Sequence, residues 1–180
     1  MPQTALLIID VQQALVDAHP YNKEAFLANL QALLALARQN GIEAIYIRHD
    51  DGPGSDFERG TKGWEIASDI APPAGTLVID KKKNSAFKDT ELHGYLQAKG
   101  VGSLILAGMQ TEYCVDATCK SAFDLGYAIT IPRGCTTTFD NGAFSGRDLA
   151  CFYEDKIWHN RFAQVVSIEE AIRGNGRDNA

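Results

Sequence analysis

Little in this chain points to a membrane, an oxidising compartment or a nucleic acid. No apolar run approaches the roughly 20 residues that a bilayer-spanning helix needs. The first such run, Ala5-Leu6-Leu7-Ile8-Ile9, has only five residues and no basic segment before it. No secretory leader and no membrane partner are therefore expected. Cysteine is scarce, with four residues at 114, 119, 135 and 151, and none forms a C-x-x-C pair. A chain of 180 residues buries enough core to need no disulfide framework. A reducing cytoplasm is the expected compartment. Positive charge is also short: 17 basic residues face 23 acidic ones, for a net charge of −6. The single basic run, Lys81-Lys82-Lys83, is too brief for a polyanion surface, so no nucleic-acid partner is expected. What remains is an ordinary globular balance, 45% hydrophobic and 22% charged.

Strand and helix signals alternate along the chain. Apolar, β-rich runs predict strands at 5–9, 44–47, 76–79, 104–107, 128–131 and 163–166. Phe26, Leu30, Leu33, Leu34 and Ala37 recur at helical spacing before Gly41, which predicts a helix over 25–38. Further helices are expected through Leu92, Tyr95 and Leu96, over 117–125 before Gly126, and around 148–157. A terminal helix starts at Ser167, where Ser167-Ile168-Glu169-Glu170 fits a capping box, and a frayed tail is expected from Gly174. The segment 49–63, with four glycines and one proline, reads as a loop long enough to carry function. No repeat or linker interrupts the pattern, so one domain over 1–180 is expected. The expected fold is α/β: three layers, with a mainly parallel six-stranded sheet and helices on both faces.

Sites in such sheets form beyond the carboxyl ends of the strands. Asp10 ends the first strand, Lys81 the third, and Cys114 follows the fourth by a few residues. An acid, a cation and a nucleophile are thus expected on one rim. Cys114 is expected in the first turn of a helix, where unpaired N–H groups and the dipole favour a thiolate. Lys81 would add positive charge beside sulfur, and Asp10 would shuttle the proton. Backbone N–H groups near Gln110 and Cys114 would hold a developing oxyanion. Each residue also has a plainer reading, as turn former, solvated surface or buried small side chain.

Three ordered blocks sharpen this: Leu7-Ile8-Ile9-Asp10-Val11-Gln12; Lys81 followed by Ser85-Ala86-Phe87 and Thr90-Glu91-Leu92; and Gly108-Met109-Gln110-Thr111-Glu112-Tyr113-Cys114-Val115. Across almost its whole length the chain resembles the isochorismatase-like cysteine hydrolases, a superfamily that includes nicotinamidases and N-carbamoyl amidases. The resemblance implies a Rossmann-like fold and a catalytic triad of Asp10, Lys81 and Cys114. Lys81 is the lysine that holds the family position relative to Ser85-Ala86-Phe87. It further implies a non-proline cis peptide between Met109 and Gln110, aiming the Gln110 N–H into the oxyanion hole. It implies a small-molecule substrate and a homodimer or larger homo-oligomer.

Departures from the family pattern are as informative. Nicotinamidases bind a metal through Asp-x-His and a later His after the second strand. Here that region reads Arg48-His49-Asp50-Asp51, with a single His, so no metal and no cofactor are expected. Isochorismatases proper tend to lack the cysteine, so Cys114 favours hydrolysis of a carbon–nitrogen bond, amide or ureido, through a thioester. The alternatives are vinyl-ether hydrolysis, in which Cys114 is dispensable, and a non-catalytic or redox-sensing protein on the same fold. Substrate contacts are expected from Gln12, His49, Trp64, Phe87 and Tyr113, with Trp64 and Phe87 equally suited to the core. Arg133 and Cys135 replace a common Asp motif and either face the pocket or do not. Trp158 and His159 are read as structural.

Overall fold

The computed structural model describes residues 3–173; the tail expected to fray from Gly174 lies outside them. Six parallel strands run β1 (Gln3–Ile9), β2 (Glu43–His49), β3 (Val78–Lys81), β4 (Val101–Met109), β5 (Ala128–Pro132) and, after a two-residue β6 (Thr136–Thr137), β7 (Gln164–Val166). Their order in the sheet is β3-β2-β1-β4-β5-β7, and β6 pairs with the far end of β4. The six strands and their helices match the expected α/β arrangement.

The continuous apolar run of β1 follows from burial on both faces. Alternate side chains point to opposite sides of a strand. Leu6 and Ile8 pack with Phe26, Leu30 and Leu33 of α2 (Lys23–Gln39) and with Ile172 of α6 (Ile168–Arg173). Leu7 and Ile9 pack on the other face with Leu92 and Leu96 of α3 (Leu92–Ala98) and with Cys119 and Ala122 of α4 (Asp116–Asp124). Burying each such large aliphatic side chain contributes roughly 1.5–3 kcal/mol. The capping box at α6 is formed: Ser167 Oγ accepts from Glu170 N at 3.2 Å, and Ser167 N donates to Glu170 Oε2 at 3.0 Å.

Several local features differ from expectation. A five-residue helix α1 (Gln13–Asp17) follows β1, too short to show helical spacing. The helix expected around 148–157 is α5 (Gly146–Phe152) running into a π-helical stretch, Tyr153–Trp158. Cys114 does not sit in the first α-helical turn. It lies in a wide π-helical turn, Thr111–Val115, in which Val115 N donates to Gln110 O at 3.2 Å, and α4 begins only at Asp116. No helix among the described residues is long and apolar enough to cross a membrane.

The chain leaves β1 toward β2 and β3, then returns to lay β4 on β1's other edge. The sheet order therefore reverses between β1 and β4, and the crevice beyond their carboxyl ends is the natural binding position. Asp10 and Cys114 come from these two strands.

Candidate active site

Gly108 sets how closely the two halves of the crevice approach. It pairs with Ile9 across the β1–β4 ladder and holds φ at +132°. A Cβ at this position would overlap the backbone of Ile9, so only glycine lets the segment after β4 lie against the end of β1. Asp10 itself has φ +50°, a left-handed turn that aspartate tolerates better than most side chains. The Met109–Gln110 peptide bond is cis.

These backbone features bring Asp10, Lys81 and Cys114 together. The Lys81 ammonium is fully buried and lies 2.6 Å from Asp10 Oδ2. It donates to Cys114 Sγ at 3.3 Å and meets His49 Nδ1 at 2.9 Å. An ammonium has protons and no lone pair, so His49 Nδ1 is the acceptor. The remaining ring proton is then on Nε2, which donates to Asp51 Oδ1 at 2.7 Å. His49 stands beside Lys81 in the β2–β3 register, which explains the contact.

Gln12 holds His49 in place. It is fully buried. Its Nε2 donates to His49 O and Trp64 O, both at 2.9 Å, and its Oε1 accepts from His49 N at 2.8 Å. Gln12 lines the cavity, but its amide is committed to backbone partners.

Burial dominates the electrostatics. It raises the Asp10 pKa above its usual value, against the attraction of Lys81 and the contact with Cys114. Neither Asp10 oxygen has a well-formed hydrogen bond, Oδ2 meeting Lys81 as an ion pair, which leaves Oδ1 able to take a proton. Burial, together with the charge of Asp10, pushes the Cys114 thiol up to about 12 despite Lys81. Desolvation thus opposes the thiolate that the helix end and Lys81 would favour.

Asp10, His49 and Cys114 each offer a ligand atom, and these lie within 4.8 Å of one another. The same three side chains converge on the Lys81 ammonium. A divalent ion placed among them would meet that fixed positive charge, so the donor set fits a lysine better than a metal.

The cavity above this cluster is about 260 Å³, small beside the roughly 300–1,000 Å³ of ligand pockets in general. Of the expected substrate contacts, His49 and Tyr113 line it, and Tyr113 is 44% exposed with its hydroxyl held by Asn141 Nδ2 at 2.9 Å. Trp64 and Phe87 do not line it. Trp64 is buried beneath the Arg48 guanidinium, 3.4 Å from the ring centroid. Phe87 stacks on Tyr127 within the core. Bulky aromatics near a site are drawn into packing as readily as into a pocket. Sequence reasoning missed Leu15, Asp51, Phe57 and Asn84, which complete the walls together with Met109. Only the length of the 49–63 loop hinted at two of them.

Arg133 and Cys135 turn away from the crevice. Arg133 pairs with Glu154 at 3.0 Å and Asp155 at 2.8 Å, and Cys135 is fully buried. Trp158 donates to Asp116 Oδ1 at 2.9 Å, and His159 Nδ1 accepts from Val165 N at 3.2 Å, both structural contacts.

The sequence profile of the isochorismatase domain matches residues 4–170. The chain belongs to the isochorismatase family. It is 35% identical over 138 residues to a streptothricin hydrolase of Streptomyces noursei, covering 76% of this chain and 50% of that protein. It is 24% identical over 163 residues to a ureidoacrylate amidohydrolase of Agrobacterium fabrum, covering 69% and 72%. Among solved structures, an isochorismatase of Pseudomonas putida KT2440 superposes with a TM-score of 0.86 at 27% identity, covering 93% of this chain and 89% of the other. The chain spans about half the length of the streptothricin hydrolases it matches, 50% and 58%.

Proposed function

We propose that this isochorismatase-family protein cleaves a carbon–nitrogen bond, amide or ureido, in a small molecule through a Cys114 thioester, without a metal. The observation that carries the reading is the placement of a thiol, a buried carboxylate and a buried ammonium within one hydrogen-bonded cluster at the cavity floor. A relative named as an amidohydrolase supports the bond type.

A thiol this weakly acidic transfers its proton as it attacks rather than beforehand. Asp10 takes the proton from sulfur while Sγ bonds to the carbonyl carbon, and its raised pKa brings it closer to the working pH of a general base. Lys81 balances the negative charge that passes from Asp10 to sulfur. The carbonyl oxygen becomes an oxyanion against the backbone N–H groups of Gln110 and Cys114. Asp10 returns the proton to the departing nitrogen, and the C–N bond breaks to leave the thioester. Asp10 then deprotonates a water that attacks the thioester, releasing the acid and restoring the Cys114 thiol. His49, fixed by Gln12 and Asp51, positions the ammonium.

The test is ammonia or amine release by Cys114→Ala, with circular dichroism to establish folding. Turnover should disappear in a folded protein and should resist chelators in the parent. Hydrolysis of an isochorismate-type vinyl ether that survives Cys114→Ala would move the reading to C–O chemistry. Loss of activity on chelation would refute the metal-free scheme.

A further inference from the structure

The cavity that holds Cys114 has no positive side chain among its described lining residues. Lys81, beneath it, is committed to Asp10 by an ion pair and to His49 and Cys114 by hydrogen bonds. Of the neighbouring cations, Arg48 is held by Asp80 at 2.8 Å, Arg59 and Lys82 make looser surface contacts to Asp80 at 3.5 Å and Asp50 at 3.9 Å, and neither these nor Lys83 lines the cavity. In contrast, the wall carries Asp51, whose side chain is 53% exposed and which uses Oδ1 for His49. Two aromatic residues, Tyr113 and Phe57, and the amide of Asn84 line the same space.

Within the hydrolase reading above, on which this rests, we infer that the substrate carries a positive charge, an ammonium or amidinium, on the part that is not cleaved. Asp51 is its counter-ion. A carboxylate in the same place finds no cationic partner and faces Asp51 at short range, where like charges repel. An ammonium pairs with Asp51 and gains from the aromatic rings. The charge on Asp51 is fixed beside the mouth of a partly enclosed cavity, where screening by water is weaker than on open surface. Asp51 is therefore both the partner that fixes the His49 tautomer and the residue that sets charge preference.

Two measurements separate this inference from the hydrolase reading. The first labels Cys114 with a cationic and an anionic methanethiosulfonate of equal length, read on the Cys114 peptide by mass spectrometry. The cation-to-anion rate ratio, divided by that for free 2-mercaptoethanol, should be about ten or more and should fall severalfold in Asp51→Asn. A ratio within about twofold of the free thiol, or one unchanged in Asp51→Asn, overturns the inference. The second compares ammonia release from 3-aminopropanamide, butanamide and succinamate. kcat/KM should be highest for the ammonium compound and lowest for the carboxylate, and Asp51→Asn should shrink the ammonium-to-neutral ratio. Equal rates for all three amides overturn the charge preference while the hydrolase reading stands. No turnover of any amide, with the labelling ratio intact, counts against the hydrolase reading and leaves the charge preference standing.

Discussion

Lys81→Met removes a buried charge while keeping most of the side-chain volume. Asp10, 2% exposed, then has no cation beside it. Breaking a buried ion pair from one side costs about 3–5 kcal/mol, because the remaining charge is stranded. Asp10 can escape that cost by staying protonated. Holding a proton above the unfolded pKa of about 3.9 costs about 1.4 kcal/mol per pH unit. That amounts to about 5 kcal/mol at pH 7.5 and about 1.5 kcal/mol at pH 5. The sign follows from burial, which raises the folded pKa of Asp10. Between the unfolded and folded values the native state holds the extra proton, so stability falls as pH rises. Lys81 opposes that shift in the parent, so the variant should show the steeper fall. Because burial already raises Asp10 in the parent, the difference between the two proteins is smaller than these costs: a Tm drop of up to about 20 °C at pH 7.5 and up to about 6 °C at pH 5. Urea or thermal denaturation at the two pH values reads it. Asp10→Asn combined with Lys81→Met should recover most of the stability and none of the activity. A loss that is the same at both pH values, or a double variant no more stable than Lys81→Met, would refute the account of a stranded carboxylate.

Two other outcomes follow from the same geometry. Alkylation of Cys114 by iodoacetamide should keep rising with pH through 10, since burial places the thiol at about 12; a plateau below pH 8 would show a stabilised thiolate instead. Gly108→Ala forces a Cβ into the Ile9 backbone at φ +132°, so it should lower stability by about 3 kcal/mol and depress kcat. A urea midpoint and a kcat equal to the parent's would show that the strands accommodate it.

Much of the fold was legible because parallel strands buried on both faces write themselves as unbroken apolar runs, as Ala5 to Ile9 does. Strand ends were legible too, and they pointed to Asp10, Lys81 and Cys114. What links them was not. The His49–Lys81 contact depends on strand register, which no local pattern encodes. The desolvation that opposes a Cys114 thiolate was not legible either, because a helix start is visible in sequence whereas burial of a single sulfur is not. Leu15, Phe57 and Asn84 reach the cavity through a five-residue helix and irregular loops that have no period to detect. The two-residue β6 and the π-helical turn around Cys114 are invisible for the same reason.

The amide of Gln12 has a consequence for how such a protein diversifies. By bonding to His49 at one end and Trp64 at the other, it staples both ends of the intervening loop to the end of β1. The interior of that loop, from residue 50 to 63, hangs between two points fixed beside Asp10 and supplies Asp51 and Phe57 to the cavity wall. Phe57 can change there, and the cavity wall with it, without loosening Lys81, whereas Asp51 is tied to the reactive cluster through His49. One side chain thus keeps the shape of the wall apart from the reactive cluster everywhere in the loop except at Asp51.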